Sequence, residues 1–387
     1  MRHVVDCRTT DTKPWFSVAA RAALVLPGGG ARGAYQVGVL KAITEVLPGT
    51  SIPFPVVAGV SAGAINAGVM ASYADDFRYG VERLEYFWSS LRCHHVYRTG
   101  WWHNLTTGLH WLAAMTLGGL GVANPKSLFD NRPLGELLER EFRGEGVAEA
   151  IENGHLHALL VTASGYSTNR AVTFFQAAES ASEWRALRRI GRRTAIDHRH
   201  LLASAALPMI FPAQRLDHEY YGDGGMRQTA PLKPAIHMGA DRMLVIGTRD
   251  ELPDPEPQSD APYPSLGDIG GSLLDVIFMD HVSSDLDRLE RINRMLDKLS
   301  PDSHETLGMR PVQGLLLRPS EDLRAIAERH AHRLPGSVKA LLKGIGAWRS
   351  GRLAGFLLFE GEFCRELIEL GYRDGLAAEN QVRELMG

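Results

Sequence analysis

Short apolar runs alternate with stretches of helical periodicity through the first two-thirds of the chain. Residues 22–26 (A-A-L-V-L) form an apolar run ending in glycines, and a helical pattern follows over 35–47. Residues 55–58 give a second short apolar run, followed by a turn and a small-residue helical pattern over 62–73. Further strands are expected at 158–163, 171–175 and 242–247. Continuous apolar strands separated by helices at this spacing predict an α/β fold with a parallel sheet, because such strands are buried on both faces. Between 251 and 264 stand Pro253, Pro255, Pro257, Pro262 and Pro264 among acidic residues, a pattern for an exposed loop. Beyond it Val282, Leu286, Leu289, Ile292, Leu296 and Leu299 recur at helical spacing. Residues 313–317 predict a last strand and 356–386 a helical end. The expected organisation is an N-terminal extension (1–21), an α/β domain (22–250), a Pro-rich acidic loop (251–266) and a mostly helical extension packed on the core (267–387). No internal repeat is visible.

Composition narrows the function classes. With 387 residues and 44% hydrophobic content, the chain can bury one large core, with or without an extension. Its formal charge is −3 and no stretch is strongly basic, which argues against a nucleic-acid partner. Cys7, Cys93 and Cys364 are odd in number and far apart, so they read as free thiols in a reducing compartment, neither a disulfide frame nor a zinc site. Asp6, Arg8, Asp11 and Lys13 interrupt any apolar leader, and no apolar run reaches membrane-spanning length. The expectation is a soluble, cytoplasmic protein, with room for a peripheral membrane contact.

Three motifs carry candidate chemistry. The first, P-G-G-G-A-R-G at 27–33, follows a strand and opens a helix. Gly28, Gly30 and Gly33 satisfy a dinucleotide-binding spacing, but the region some twenty residues on, S-I-P-F-P-V-V-A-G-V, has no acid to hold a ribose. Without a nucleotide the loop still converges backbone N–H groups at a helix N-terminus, an arrangement suited to phosphate or to an acyl-transfer oxyanion. The second motif, G-V-S-A-G at 59–63, sits between an apolar strand and an Ala/Gly-rich helix. That is the setting of a nucleophile elbow, with Gly59 and Gly63 as the small residues the tight turn needs around Ser61. The third, D-G-G at 223–225, puts a carboxylate on a glycine-bounded segment; alone it reads more readily as a hairpin turn.

Taken together, L-V-L-P-G-G-G-A-R-G-A-Y-Q-V-G-V-L, G-V-S-A-G-A-I-N-A, A-S-A-A-L-P-M-I-F-P-A and Y-G-D-G-G resemble patatin-like phospholipases in content and order, over about residues 22–250. The later segments L-L-D-V-I-F-M-D-H and F-C-R-E-L-I-E-L-G-Y-R-D look like the extension of bacterial members. The resemblance implies a three-layer α/β/α sandwich around a mostly parallel sheet, and lipid acyl-ester hydrolysis by a Ser–Asp dyad. By motif, Ser61 is the nucleophile and Asp223 the base, and Gly28, Gly29 and Gly30 form the oxyanion loop. Arg32, Gly59, Gly63, Gly224 and Gly225 stand in supporting places. Many members carry Asp where this chain has Pro27; proline precedes the donors and removes only its own N–H. The implied substrate is a lipid or lysolipid acyl ester, with no metal or cofactor. The Trp- and Leu-rich segment 101–123 is a candidate groove wall, or simply core. Two other readings stay open. One is a Ser–His–Asp esterase using His237, His281, His304, His330 or His332; the other is a non-catalytic lipid-binding module of the same fold.

Overall fold

A computed structural model describes residues 21–100, 127–250, 263–278, 280–344, 346 and 352–387. The N-terminal extension with Cys7, the 101–123 segment and most of the Pro-rich loop lie outside the described residues. Among the described residues ten strands form one sheet: β1 (Arg21–Leu26), β2 (Val56–Val60), β3 (Ala158–Gly165), β4 (Ala171–Ala177), β5 (Trp184–Ala186), β6 (Arg189–Arg193), β7 (Gln214–Leu216), β8 (Glu219–Asp223), β9 (Ala240–Ile246) and β10 (Gln313–Leu317). The main path runs β10-β9-β1-β2-β3-β4-β6-β5, with β8 joining β3 and β7. Pairing is parallel from β10 through β3, so the expected α/β class and mostly parallel sheet are what the chain forms.

The apolar runs explain the layers. Successive side chains on a strand point to opposite faces. On β1, Leu24 and Leu26 enter one core, while Ala23 and Val25 enter another. The first core is covered by α1 (Ala34–Val46), α2 (Ala62–Ser72) and α3 (Phe77–Ser90). The opposite face is covered by α4 (Lys233–His237), through Ala235, and by α5 (Asp280–Leu296), through Val282, Leu286 and Leu289. Every residue of β2 and β3 is buried, as a strand between two helical layers requires.

The C-terminal region is helical but interrupted. Residues 356–386 do not form one helix: α6 (Arg352–Leu357) ends, and α7 (Gly361–Ala377) restarts before Glu379–Met386. Gly361 opens the second helix, where a Cβ would lie 2.1 Å from Ser89 O. Tertiary partners take backbone groups on both sides of the break: Tyr97 Oη donates to Leu357 O at 2.9 Å, and Gly361 N–H donates to Leu91 O at 2.9 Å. The restarted helix packs along α1, where Tyr35 Oη donates to Asp374 Oδ2 at 3.0 Å. Cys93 and Cys364 are buried, unpaired thiols, each pushed up by burial, Cys93 to about 12. Among the described residues no helix is long and apolar enough to cross a membrane.

Strand register places the motifs. Leu26 pairs with Gly59 at the carboxyl ends of β1 and β2, so the glycine loop and Ser61 emerge side by side. β2 stops pairing with β3 at Val60↔Thr162, and β8 takes over that edge of β3 at Ala163↔Asp223. Asp223 therefore occupies the position that β2 vacates where the chain turns at Ser61.

Candidate active site

Ser61 has φ 55° and ψ −128°, a conformation that L residues adopt only under strain and that a nucleophile elbow requires. The turn is tight enough to demand its glycines. A Cβ on Gly63 would lie 2.0 Å from Leu26 O, and one on Gly59 would lie 2.3 Å from Gly63 O. Helix α2 thus starts in direct contact with the end of β1. The Ser61 N–H donates to Ser204 Oγ at 2.9 Å, and Ser204 Oγ donates to Thr162 O at 2.6 Å.

D-G-G is not a hairpin loop. It is the last residue of β8 followed by a single 3-10 turn, Gly224–Met226. The reason is long-range: Tyr221, Gly222 and Asp223 pair antiparallel with Gly165, Ser164 and Ala163, a pairing with no local signature. The hairpin lies earlier, between β7 and β8, where Asp217 has φ 50°. Asp223 is fully buried. Its N–H donates to Ala206 O at 2.8 Å, and its Oδ1 accepts the Gly225 N–H at 2.9 Å. Burial pushes the carboxyl up from its ordinary 3.8 to about 7, against the opposing pull of the Ser61 hydroxyl and the Gly225 N–H. Among the described residues Asp223 Oδ2 has no hydrogen-bond partner of full geometry, and no histidine is among the described groups that shift the carboxyl.

The glycine loop is held from three sides. Gly30 has φ 57°, and a Cβ there would lie 2.5 Å from Phe356 O on α6. Thr248 Oγ1 donates to Gly28 O at 2.8 Å. A buried chain of amides completes the frame. Gln36 Nε2 donates to Pro27 O (2.9 Å) and Ile246 O (3.1 Å), and Asn66 Nδ2 donates to Gly33 O (3.0 Å) and Gln36 Oε1 (2.9 Å). Trp88 Nε1 donates to Asn66 Oδ1 at 2.8 Å. A satisfied buried network of this sort fixes one geometry, here that of the loop against the elbow helix. The bond at Pro27 uses its carbonyl, which proline retains.

Arg32 does not point into the site as a free cation. Its guanidinium lies 4.4 Å from the centre of the Phe356 ring and 3.8 Å from Asp275 Oδ1. Burial lowers its pKa to about 10, with Asp275 acting to raise it. The arginine thus ties the glycine loop to the C-terminal helices Leu266–Phe278 and α6.

A small cavity of about 20 Å³ opens on Ser61 and Gly30 and is otherwise lined by apolar side chains, among them Ile65, Trp88, Leu207 and Phe211. The structure therefore brings Ser61, Asp223 and the glycine loop together. Four of the five candidate histidines are engaged elsewhere. His237 is stacked on Trp184 at 4.8 Å with burial lowering its pKa to about 4, and Trp184 packs against the core on the opposite sheet face from α2. His330 contacts Glu366 Oε2 at 2.6 Å, His304 contacts Leu296 O at 2.7 Å, and His332 contacts Arg329 O at 2.9 Å.

Sequence reasoning did not single out Ser204, Thr248, Gln36 or Asn66. Gln36 and Asn66 did leave a trace, as lone polar residues inside otherwise apolar helical stretches, the mark of a buried hydrogen-bonded group.

Patatin-like phospholipase domain-containing protein ZK370.4 of Caenorhabditis elegans is 34% identical over 137 residues, 33% of this chain and 9% of that protein. Lysophospholipase nte1 of Aspergillus terreus is 50% identical over 52 residues, 13% of this chain and 3% of that protein. Both matches therefore span less than a tenth of the relative's length. The crystal structure of VipD from Legionella pneumophila aligns over 91% of this chain and 67% of its own at 13% identity, with a TM-score of 0.32. The patatin-like phospholipase family model matches residues 24–236, more than half of the chain, and the protein belongs to that family.

Proposed function

We propose that the protein is a lipid acyl hydrolase that cleaves carboxylic esters through a Ser61–Asp223 dyad and an acyl-enzyme. The observation that carries this reading is the meeting of a strained serine with a buried carboxyl whose pKa lies near 7. A carboxylate of ordinary pKa is too weak a base to take a serine proton at neutral pH; one raised toward the working pH combines a populated basic form with useful proton affinity.

Ser61 Oγ attacks the acyl carbonyl while its proton passes to the Asp223 carboxylate. The carbonyl oxygen becomes an oxyanion facing the N–H groups of Gly28, Gly29 and Gly30. Collapse breaks the ester C–O bond, and the leaving alkoxide takes the proton from Asp223. A water molecule then gives its proton to the same carboxylate and attacks the acyl-serine. The fatty acid leaves as Ser61 recovers the proton. Gly225 holds one carboxylate oxygen throughout, so the other does the proton transfer.

The apolar lining beside Ser61 suits contact with an acyl chain and gives the lipid class its support. The substrate is a lipid or lysolipid acyl ester, taken from a membrane surface by transient contact in a cytoplasmic setting. The test is fatty-acid release from a panel of phospholipids, lysophospholipids and glycerides, with Ser61→Ala as control. Release that depends on Ser61 supports the reading, and release by both proteins or by neither contradicts it.

A further inference from the structure

We infer that Ser204 is a positioning residue for the nucleophile, holding the Ser61 backbone in register with the strand end that carries Asp223. The inference rests on the reading of Ser61 and Asp223 as the dyad.

The two dyad members come from elements that do not pair with each other. Ser61 leaves the end of β2, while Asp223 ends β8, and each strand pairs with β3. β3 sets the two strand ends side by side, and a second element ties the two residues themselves. The segment Ser204–Ala205–Ala206, at the end of helix His198–Ser204, does so. Ser204 Oγ accepts the Ser61 N–H at 2.9 Å, and two residues on Ala206 O accepts the Asp223 N–H at 2.8 Å. The same hydroxyl donates to Thr162 O at 2.6 Å, one residue before Ala163, the register partner of Asp223.

Of these contacts only the Ser204 hydroxyl is a side chain. The rest are backbone to backbone, fixed by the fold and beyond the reach of substitution. A hydroxyl has one proton to donate and lone pairs to accept with, so a serine can bridge an N–H and a C=O that face the same point. An alanine there would remove both bonds. Ser204 is fully buried, and although its neighbours Ala205 and Leu207 line the acyl cavity, Ser204 itself does not. Its contribution is to geometry. The elbow backbone is strained, and strain persists only where the surroundings over-determine the conformation. Freed from Ser204, Ser61 can relax away from both the carboxylate and the glycine loop, raising the barrier without changing how the acyl chain binds.

The test uses steady-state hydrolysis of 4-nitrophenyl butyrate by the full chain carrying Ser204→Ala, Ser204→Thr or Ser204→Val, with Ser61→Ala as reference and melting followed by circular dichroism. Thr and Val have nearly one shape and differ in the hydroxyl. Ser204→Ala and Ser204→Val should lose about 10²-fold in kcat with KM within about threefold of wild type, and Ser204→Thr should recover to within about tenfold. The acid limb of kcat/KM should also move to higher pH in Ser204→Ala, because a displaced Ser61 no longer donates to Asp223. Folded Ser204→Ala with kcat within about threefold of wild type overturns the inference, as does equal loss in the Thr and Val variants. So does unfolding of the Ala and Val variants beside a folded Thr variant, which would assign the hydroxyl to fold stability alone. Activity remaining in Ser61→Ala would instead defeat the dyad reading itself, whatever the Ser204 variants do.

Discussion

Replacing Asp223 with asparagine should stabilise the protein, and more so as the pH rises. The folded carboxyl keeps its proton to about pH 7, whereas the unfolded one releases it near 3.8. Between those values the folded state binds more protons, so raising the pH favours unfolding, and the penalty is complete above pH 7. With about 1.4 kcal/mol for each pH unit separating the two values, the buried charge costs about 4 kcal/mol at pH 8 and about 2 kcal/mol at pH 5. Asparagine does not titrate, and its side-chain oxygen can still accept the Gly225 N–H. The stability difference between Asp223→Asn and wild type should therefore widen by roughly 2–3 kcal/mol from pH 5 to pH 8. Urea unfolding of both proteins at the two pH values measures it, while kcat of the variant collapses. A difference independent of pH, or one that shrinks as pH rises, would refute the argument, because it would mean a carboxylate that the fold stabilises rather than one poised as a base.

Two further outcomes follow from the geometry. Gly63→Ala puts a Cβ 2.0 Å from Leu26 O, so it should destabilise by at least about 1–3 kcal/mol or prevent folding, seen as a lowered urea midpoint. His237→Gln, His281→Gln, His304→Gln, His330→Gln and His332→Gln should each retain at least about a tenth of wild-type kcat, since the groups acting on Asp223 include no histidine; a folded variant as inactive as Ser61→Ala would restore the triad.

Much of the central sheet was legible because its strands are buried on both faces and so read as unbroken apolar runs. β1 and β10 fall within a residue of their expected bounds, and β2, β3, β4 and β9 within two. The short strands β5 to β8 were not legible. W-R-A, R-I-G-R-R and Q-R-L are brief and arginine-bearing; W-R-A and Q-R-L pair only within short hairpins, and R-I-G-R-R joins the sheet through β4. The same blindness turned D-G-G into an apparent hairpin, since its partner on β3 lies some sixty residues away. The helix break after Leu357 left Gly361 as its one trace, since Tyr97 and Leu91 take its backbone groups. In the site, Ser61, Asp223 and the glycines announce themselves by spacing. Ser204 lies in the run A-S-A-A-L-P that helps carry the resemblance, but its role was not legible, because its hydroxyl meets backbone 143 residues away, which no spacing encodes.

The dyad itself is tested most directly by trapping it. An alkyl organophosphonate ester mimics the tetrahedral acyl-transfer intermediate and reports the attacking oxygen by peptide mass mapping. The account predicts a single adduct on Ser61, loss of ester hydrolysis in step with labelling, no adduct in Ser61→Ala, and labelling slowed by at least about 10³-fold in Asp223→Asn. An adduct on another serine, with Ser61→Ala still hydrolysing ester, would contradict it.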